Sequence, residues 1–227
     1  MDHGLSPQER ERYREQGFLV RERVFAEPEL EALRGAVERV HARVVEAARV
    51  SNAPVERIDG KRYQPLLGSL VKWEWREDAA EIRSMEPFLH LDPALDPLVD
   101  DARLVEPVAA LLGESKLSLF TDKLNFKRPG GAPFPWHQDS PYWAFGCNHL
   151  ERLASLQLYL DDADPESGCL WMIDLVSSEV LVKTQSNQTP TSSCSALAEL
   201  PHRSSCHRTS QAFRSARPRH LCSVRTV

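Results

Sequence analysis

Long apolar runs are missing from this 227-residue chain. No stretch approaches the roughly 18 to 20 consecutive apolar residues that cross a bilayer, so no membrane span is expected. The opening Met1-Asp2-His3-Gly4 has no basic segment leading into an apolar one, and predicts no secretory signal. Paired cysteine spacing is also absent. Cys147, Cys169, Cys194, Cys206 and Cys222 are odd in number and contain no CxxC, which argues against a disulfide framework and a structural zinc site and points to the cytoplasm. Nor is there an excess of positive charge. The net charge is −5, so nucleic acid is not an expected partner. Nothing in the sequence sets an oligomeric state.

Glycine is missing from one end. All ten glycines lie at or before Gly168, and the last 54 residues also lack Trp and Tyr. Those residues instead hold eleven Ser and three of the five Cys. Residues 174–227 carry seven Lys/Arg and three Asp/Glu, a net of +4, against −9 for residues 1–173. So sharp a shift in composition marks a boundary. The expected organisation is a folded domain over 1–173 and a disordered tail over 174–227.

Up to that boundary the chain has ordinary globular composition, 41% hydrophobic and 27% charged. Ser6-Pro7-Gln8-Glu9 predicts a helix start with a capping box, and Gly17 predicts its left-handed end. Phe18-Leu19-Val20 reads as a short strand. Leu30, Leu33, Val37, Val40 and Val44 form one apolar stripe on a second helix over about 28–49, with Arg34, Glu38, Arg39 and Arg43 on the wet side. Residues 58–75 read as mostly extended. Asp92 or Asp96 can cap a third helix that ends at Gly113 and breaks at Pro107. A strand is expected over 117–127. Its alternation places Leu117, Leu119, Thr121, Lys123, Asn125 and Lys127 on one face, and Ser118, Phe120, Asp122, Leu124 and Phe126 on the other. Pro129-Gly130-Gly131 forms a loop, and further strands follow over 153–160 and 169–173. Helices first and antiparallel strands after predict an α+β fold, a sandwich or jelly roll buttressed by helices.

Between two of those strands lies Trp136-His137-Gln138-Asp139-Ser140-Pro141-Tyr142-Trp143. On an extended segment residues i and i+2 face the same way, so His137 and Asp139 can converge on one point. An imidazole and a carboxylate with coordination positions left open suit an Fe(II) centre that also binds a co-substrate and dioxygen. A lone His-x-Asp is nonetheless a short motif in a chain with eight histidines. A loop histidine hydrogen-bonded to a nearby carboxylate is the ordinary alternative. Trp136, Tyr142 and Trp143 either wall the site or pack a surface loop, and Gln138 has no assigned role.

The series Asn125-Phe126-Lys127-Arg128-Pro129-Gly130-Gly131, Pro135 to Asp139, Leu158-Tyr159-Leu160-Asp161-Asp162-Ala163 and Glu166-Ser167-Gly168-Cys169-Leu170-Trp171 closely resembles the phytanoyl-CoA dioxygenase family of Fe(II)/2-oxoglutarate oxygenases. The blocks Leu5-Ser6-Pro7 and Gly17-Phe18-Leu19-Val20 resemble that family's opening segment. The resemblance covers residues 5 to about 173 and is weakest between 50 and 90. It implies a double-stranded β-helix, a jelly-roll core with N-terminal helices on its larger sheet, acting on a small organic or acyl substrate with dioxygen. It implies that His137 and Asp139 are two of three iron ligands, that 2-oxoglutarate chelates the metal, and that its decarboxylation to succinate drives hydroxylation of the substrate. Asn125 would lie on the pocket strand, where its amide can donate to the co-substrate or to a ligand carboxylate. Lys123 and Gln157 are further candidates for the co-substrate.

The resemblance stops at residue 173. The family's next turn, Pro-Gly-Ser-His, has no counterpart in Asp174-Leu175-Val176-Ser177-Ser178. The family's third ligand, a histidine, and its 2-oxoglutarate arginine are also not identifiable. His207 precedes Arg217 by ten residues, which copies the family spacing, but Ser204 to Ser210 lacks strand alternation. A frameshifted or alternatively spliced end would have this composition. The expectation is then a jelly roll incomplete at its C-terminal side, with little or no turnover of 2-oxoglutarate. The alternatives are a non-catalytic product and a cupin-like binder of Fe, Mn or Zn.

Overall fold

A computed structural model describes residues 3–76, 79–135, 137–143, 149–164, 169–173, 181–184 and 191–199. The chain opens with α1 (Pro7–Gln16), held by the expected box. The Ser6 hydroxyl accepts from the Glu9 amide, and the Glu9 carboxylate accepts from the Ser6 amide. Gly17 closes the helix at φ 78°, in the left-handed region. Phe18 makes only an isolated bridge, so the short strand expected at 18–20 does not form. Helix α2 (Glu27–Val50) buries Leu33, Val37, Val40 and Val44 of the stripe read from the sequence, with Ala36 beside them, and Leu30 packs partly buried against the core. Arg34, expected on the wet side, instead donates to the Leu160 carbonyl and to Asp161, which ties α2 to the far end of the sheet.

Strands β1 (Glu56–Ile58), β2 (Lys61–Leu66), β3 (Ser69–Trp73) and β4 (Ile82–Glu86) form an antiparallel meander. Two short 3₁₀ turns then precede α3 (Ala102–Leu112), which begins later than expected. Asp101 caps it by accepting from the Arg103 amide. Pro107 lies inside α3 without the expected break. It sits in the second turn, where its missing N–H costs one backbone bond near an end already short of partners.

The larger sheet is completed by β5 (Ser118–Lys127), β6 (Ala154–Tyr159) and β9 (Thr191–Glu199), in the order β1-β2-β3-β4-β5-β9-β6. Strands β7 (Leu170–Ile173) and β8 (Leu181–Thr184) pair separately. All pairings are antiparallel. Val37, Val40, Val71, Met85, Val108, Leu124, Phe126 and Leu156 share one core between the larger sheet and the helices. The fold is therefore α+β, a jelly-roll core with N-terminal helices packed on its major sheet. Two pieces of the segment 174–227 are described, Leu181–Thr184 and Thr191–Glu199, and both are strands. The second fills the slot between β5 and β6 and pairs with both, giving partners to two rows of backbone groups that would otherwise form edges. The remainder of that segment, His207 and Arg217 included, lies outside the described residues. Among the described residues no helix is long and apolar enough to cross a membrane.

Candidate metal centre

Strand β5 delivers two sets of side chains, and a bulge decides which goes where. Leu119 pairs with Ala198 and Thr121 with Leu197, so Phe120 is an inserted residue. A bulge of this kind shifts the alternation by one. Leu117 and Leu119 thus join Leu124 and Phe126 in the core, while Thr121, Lys123, Asn125 and Lys127 take the opposite face. The uninterrupted alternation expected from the sequence put all six odd-numbered residues on one face, and the bulge corrects it.

The face opposite the core has a clear register. Lys123 and Gln157 both pair with Ser195, from the two sides of β9. Asn125 pairs with Ser84 on β4 and with Ser193 on β9, which in turn pairs with Tyr159. Directly paired residues share a face, so the three candidate co-substrate residues lie together. The Tyr159 hydroxyl donates to Gln157 Oε1 at 3.1 Å.

Two residues that were not assigned to the site from the sequence belong on this face. Lys72 pairs with Ser84, and its ammonium lies 5.5 Å from the Tyr63 ring centroid. Burial, with repulsion from Lys123, Arg83 and Lys61, pulls its pKa down to about 8. Lys127 is buried and is likewise pulled down to about 8, chiefly by burial, against a raising effect from Cys169. Burial pushes Tyr159 up to about 12. A lysine in the middle of the apolar strand Leu70-Val71-Lys72-Trp73 was the available signal, but only register shows what it faces.

The segment after β5 carries the imidazole and carboxylate. His137 Nδ1 lies 2.8 Å from the Pro135 carbonyl oxygen. A carbonyl can only accept, so Nδ1 carries a proton, and in the neutral ring Nε2 is then the nitrogen with the lone pair. Nε2 lies 3.4 Å from Asp139 Oδ1. Two donors bound at about 2.1 Å and right angles to a first-row metal sit about 3 Å apart, and a ligating histidine commonly donates its other N–H to a backbone carbonyl. The pair therefore fits a divalent metal. The Tyr142 ring stands edge-on to His137 at 6.0 Å, though Tyr142 itself is 67% exposed. Trp143, in the short helix α4 (Ser140–Trp143), stands edge-on to Phe120 at 5.2 Å and so ties the end of this segment to β5. Trp136 lies outside the described residues. Among the described residues no third His, Cys, Asp or Glu joins the pair.

A family model described as Phytanoyl-CoA dioxygenase (PhyH) matches residues 13–174. The chain is 36% identical over 88 residues to a probable alpha-ketoglutarate-dependent hypophosphite dioxygenase of Stutzerimonas stutzeri, covering 39% of this chain and 29% of that one. It is 33% identical over 86 residues to a methylphosphonate hydroxylase of Gimesia maris, covering 38% and 31%. The chain thus spans about three tenths of the length of these curated relatives. Among solved structures, the non-heme alpha ketoglutarate dependent carbocyclase SnoK superposes with a TM-score of 0.62 at 17% identity, over 86% of this chain and 84% of that one. At that identity the likeness is one of fold.

Proposed function

This chain belongs to the phytanoyl-CoA dioxygenase family, and on that premise we propose that it is an Fe(II)- and 2-oxoglutarate-dependent dioxygenase acting on a small anionic substrate, a phosphorus oxyanion by chemical class. The observation that carries the reading is the His137–Asp139 pair, with its imidazole proton already placed on Nδ1. His137 Nε2 and an Asp139 carboxylate oxygen are the atoms that would hold the metal. Bound Fe(II) would supply the open coordination positions and the oxidation chemistry.

The chain's own residues do the rest. The Pro135 carbonyl orients the imidazole. Lys72, Lys123 and Lys127 gather positive charge on one face of the sheet, a setting for carboxylate or phosphonate oxygens. Asn125 and Gln157 offer neutral donors and acceptors on the same face. Two curated relatives carry names with phosphorus oxyanion substrates, and the lysine face suits such anions better than a neutral hydrocarbon.

Succinate formation by the purified protein, supplied with Fe(II) and 2-oxoglutarate, tests this. Hypophosphite or methylphosphonate should raise the rate above that without a substrate, and a short-chain carboxylate should not. Equal stimulation by all three would remove the substrate assignment, and absence of Fe(II)-dependent 2-oxoglutarate binding would remove the reading. A second reading, metal binding without turnover, is favoured by the lack of a third ligand among the described residues. It predicts metal binding at His137 and Asp139 with no succinate.

A further inference from the structure

We infer that the buried pair Arg83 and Glu74 is a positioning device for the metal ligand His137, acting through the backbone of residues 131–135. The inference rests on the reading of His137 and Asp139 as the metal pair. Arg83 is 1% exposed, and its Nη1 donates to Glu74 Oε2 at 3.3 Å. The remaining contacts of the pair run along consecutive residues of the segment that leads to the histidine. Arg83 donates to the Ala132 carbonyl at 2.5 Å and to the Pro133 carbonyl at 3.2 Å. Glu74 Oε2 accepts from the Ala132 amide at 3.3 Å. The guanidinium lies 4.1 Å from the Phe134 ring centroid and 4.6 Å from that of Trp75. A Cβ on Gly131 would meet Glu74 Oε1 at 3.1 Å and the Arg128 carbonyl at 3.0 Å, so the backbone runs hard against the carboxylate.

Three successive residues, 132 to 134, therefore touch the pair, and Gly131 has no room for a side chain beside it. The next residue is Pro135, whose carbonyl accepts a hydrogen bond from His137 Nδ1–H. Phe134 itself lies 6.4 Å, ring to ring, from His137. A surface loop could be solvated without such a device. A buried ion pair is a poor source of stability compared with apolar residues of similar size, and here Arg83 Nε is buried with no partner among the described residues. The arrangement aims the Nη donors at Glu74 and at two carbonyls and leaves only Nε without a partner. It fixes the position of a carbonyl that orients a ligand, and such outer partners commonly govern metal affinity by 10- to 100-fold.

Cobalt(II) titration of the full chain, well below its melting temperature, tests the inference, alongside thermal melting and nitrogen NMR of the His137 ring. In the double variant R83M/E74M neither charge is left unpaired, but the Ala132 amide and the Ala132 and Pro133 carbonyls lose these partners, so the melting temperature should fall by a few degrees with the fold kept. Its cobalt affinity should fall about tenfold, and the His137 Nδ1 proton should exchange faster. R83K keeps the charge but cannot bridge two carbonyls in the guanidinium's fork geometry, and it should show the same loss. Should the double variant fail to fold, R83K and F134L decide the matter by the same two readouts. Unchanged affinity in the folded variants, with affinity lost in H137A, would overturn the positioning role alone. Unchanged affinity in H137A itself would overturn the reading beneath it.

Discussion

Lys123 and Gln157 pair with the same residue, Ser195, from opposite sides of β9. Thirty-four positions apart in sequence, they stand two strand spacings apart on one face, about 9.6 Å. On the proposed function, that gap would take one small dicarboxylate or phosphonate between an ammonium and an amide. Removing the ammonium in K123M should weaken 2-oxoglutarate binding by about 2 kcal/mol, roughly 30-fold, as expected for a hydrogen bond to a charged group. Q157L should cost about 1 kcal/mol. Calorimetric titration in the presence of a redox-inert divalent metal measures both, and the metal affinity should stay as in the wild type. An unchanged 2-oxoglutarate affinity in K123M would show that the lysine does not serve the anion.

His137 and Asp139 carry a sharper expectation. Structural zinc sites of four ligands bind with roughly 10–16 kcal/mol, about 3 kcal/mol per ligand. H137A and D139A should therefore each weaken Fe(II) or Co(II) binding by about 100-fold or more. Neither residue lies in the core, and both are partly exposed, so urea midpoints without metal should move little. If cobalt affinity survives in both variants, the metal lies elsewhere.

Much of the fold could be read from residue patterns because its determinants are local. The Ser6–Glu9 box and the Leu33-Val37-Val40-Val44 stripe each lie within a few turns of helix, and the structure realises both. The bulge at Phe120 could not be read. It depends on the register with β9, a strand in a serine-rich segment whose composition suggested no structure. The His137–Asp139 pair could be read because an i, i+2 spacing is local too. The face of Lys72 and the grip of Arg83 on residues 132–134 could not, since both arise from contacts between strands and loops distant in sequence.

Lys72 and Lys127 predict a dependence on pH. Each is lowered to about 8, below the value near 10.4 of an unfolded chain. Between about pH 8 and 10 the unfolded state binds more protons, so stability should rise with pH there, and below 8 the cost of the buried charge is fully present. K72M and K127M should each stabilise the protein near pH 7 and flatten that rise, as read from urea midpoints at pH 7, 8 and 9.5. Anion binding should run the other way. It needs the charged ammoniums, and 2-oxoglutarate affinity should fall roughly three- to tenfold between pH 7.5 and 9. An affinity that does not change across that range would place the anion away from these two lysines.

Asp122 sits beside Lys123 but points to the other side of β5, and its role there is structural. It is buried, and Oδ2 accepts from the Phe88 amide at 2.6 Å and the Leu89 amide at 2.9 Å. Those amides open the 3₁₀ turn Leu89–Leu91, whose two leucines belong to the core. D122A would leave both N–H groups buried without this acceptor. At about 1–3 kcal/mol for each orphaned group, the loss should be about 3 kcal/mol, or roughly 6–12 °C in melting temperature for a domain of this size. D122N keeps an acceptor oxygen within reach and should lose about 1 kcal/mol. The ordering D122A below D122N below wild type, by thermal melting, is the expected result. Equal melting of D122A and D122N would mean that the carboxylate oxygen is not what holds the turn.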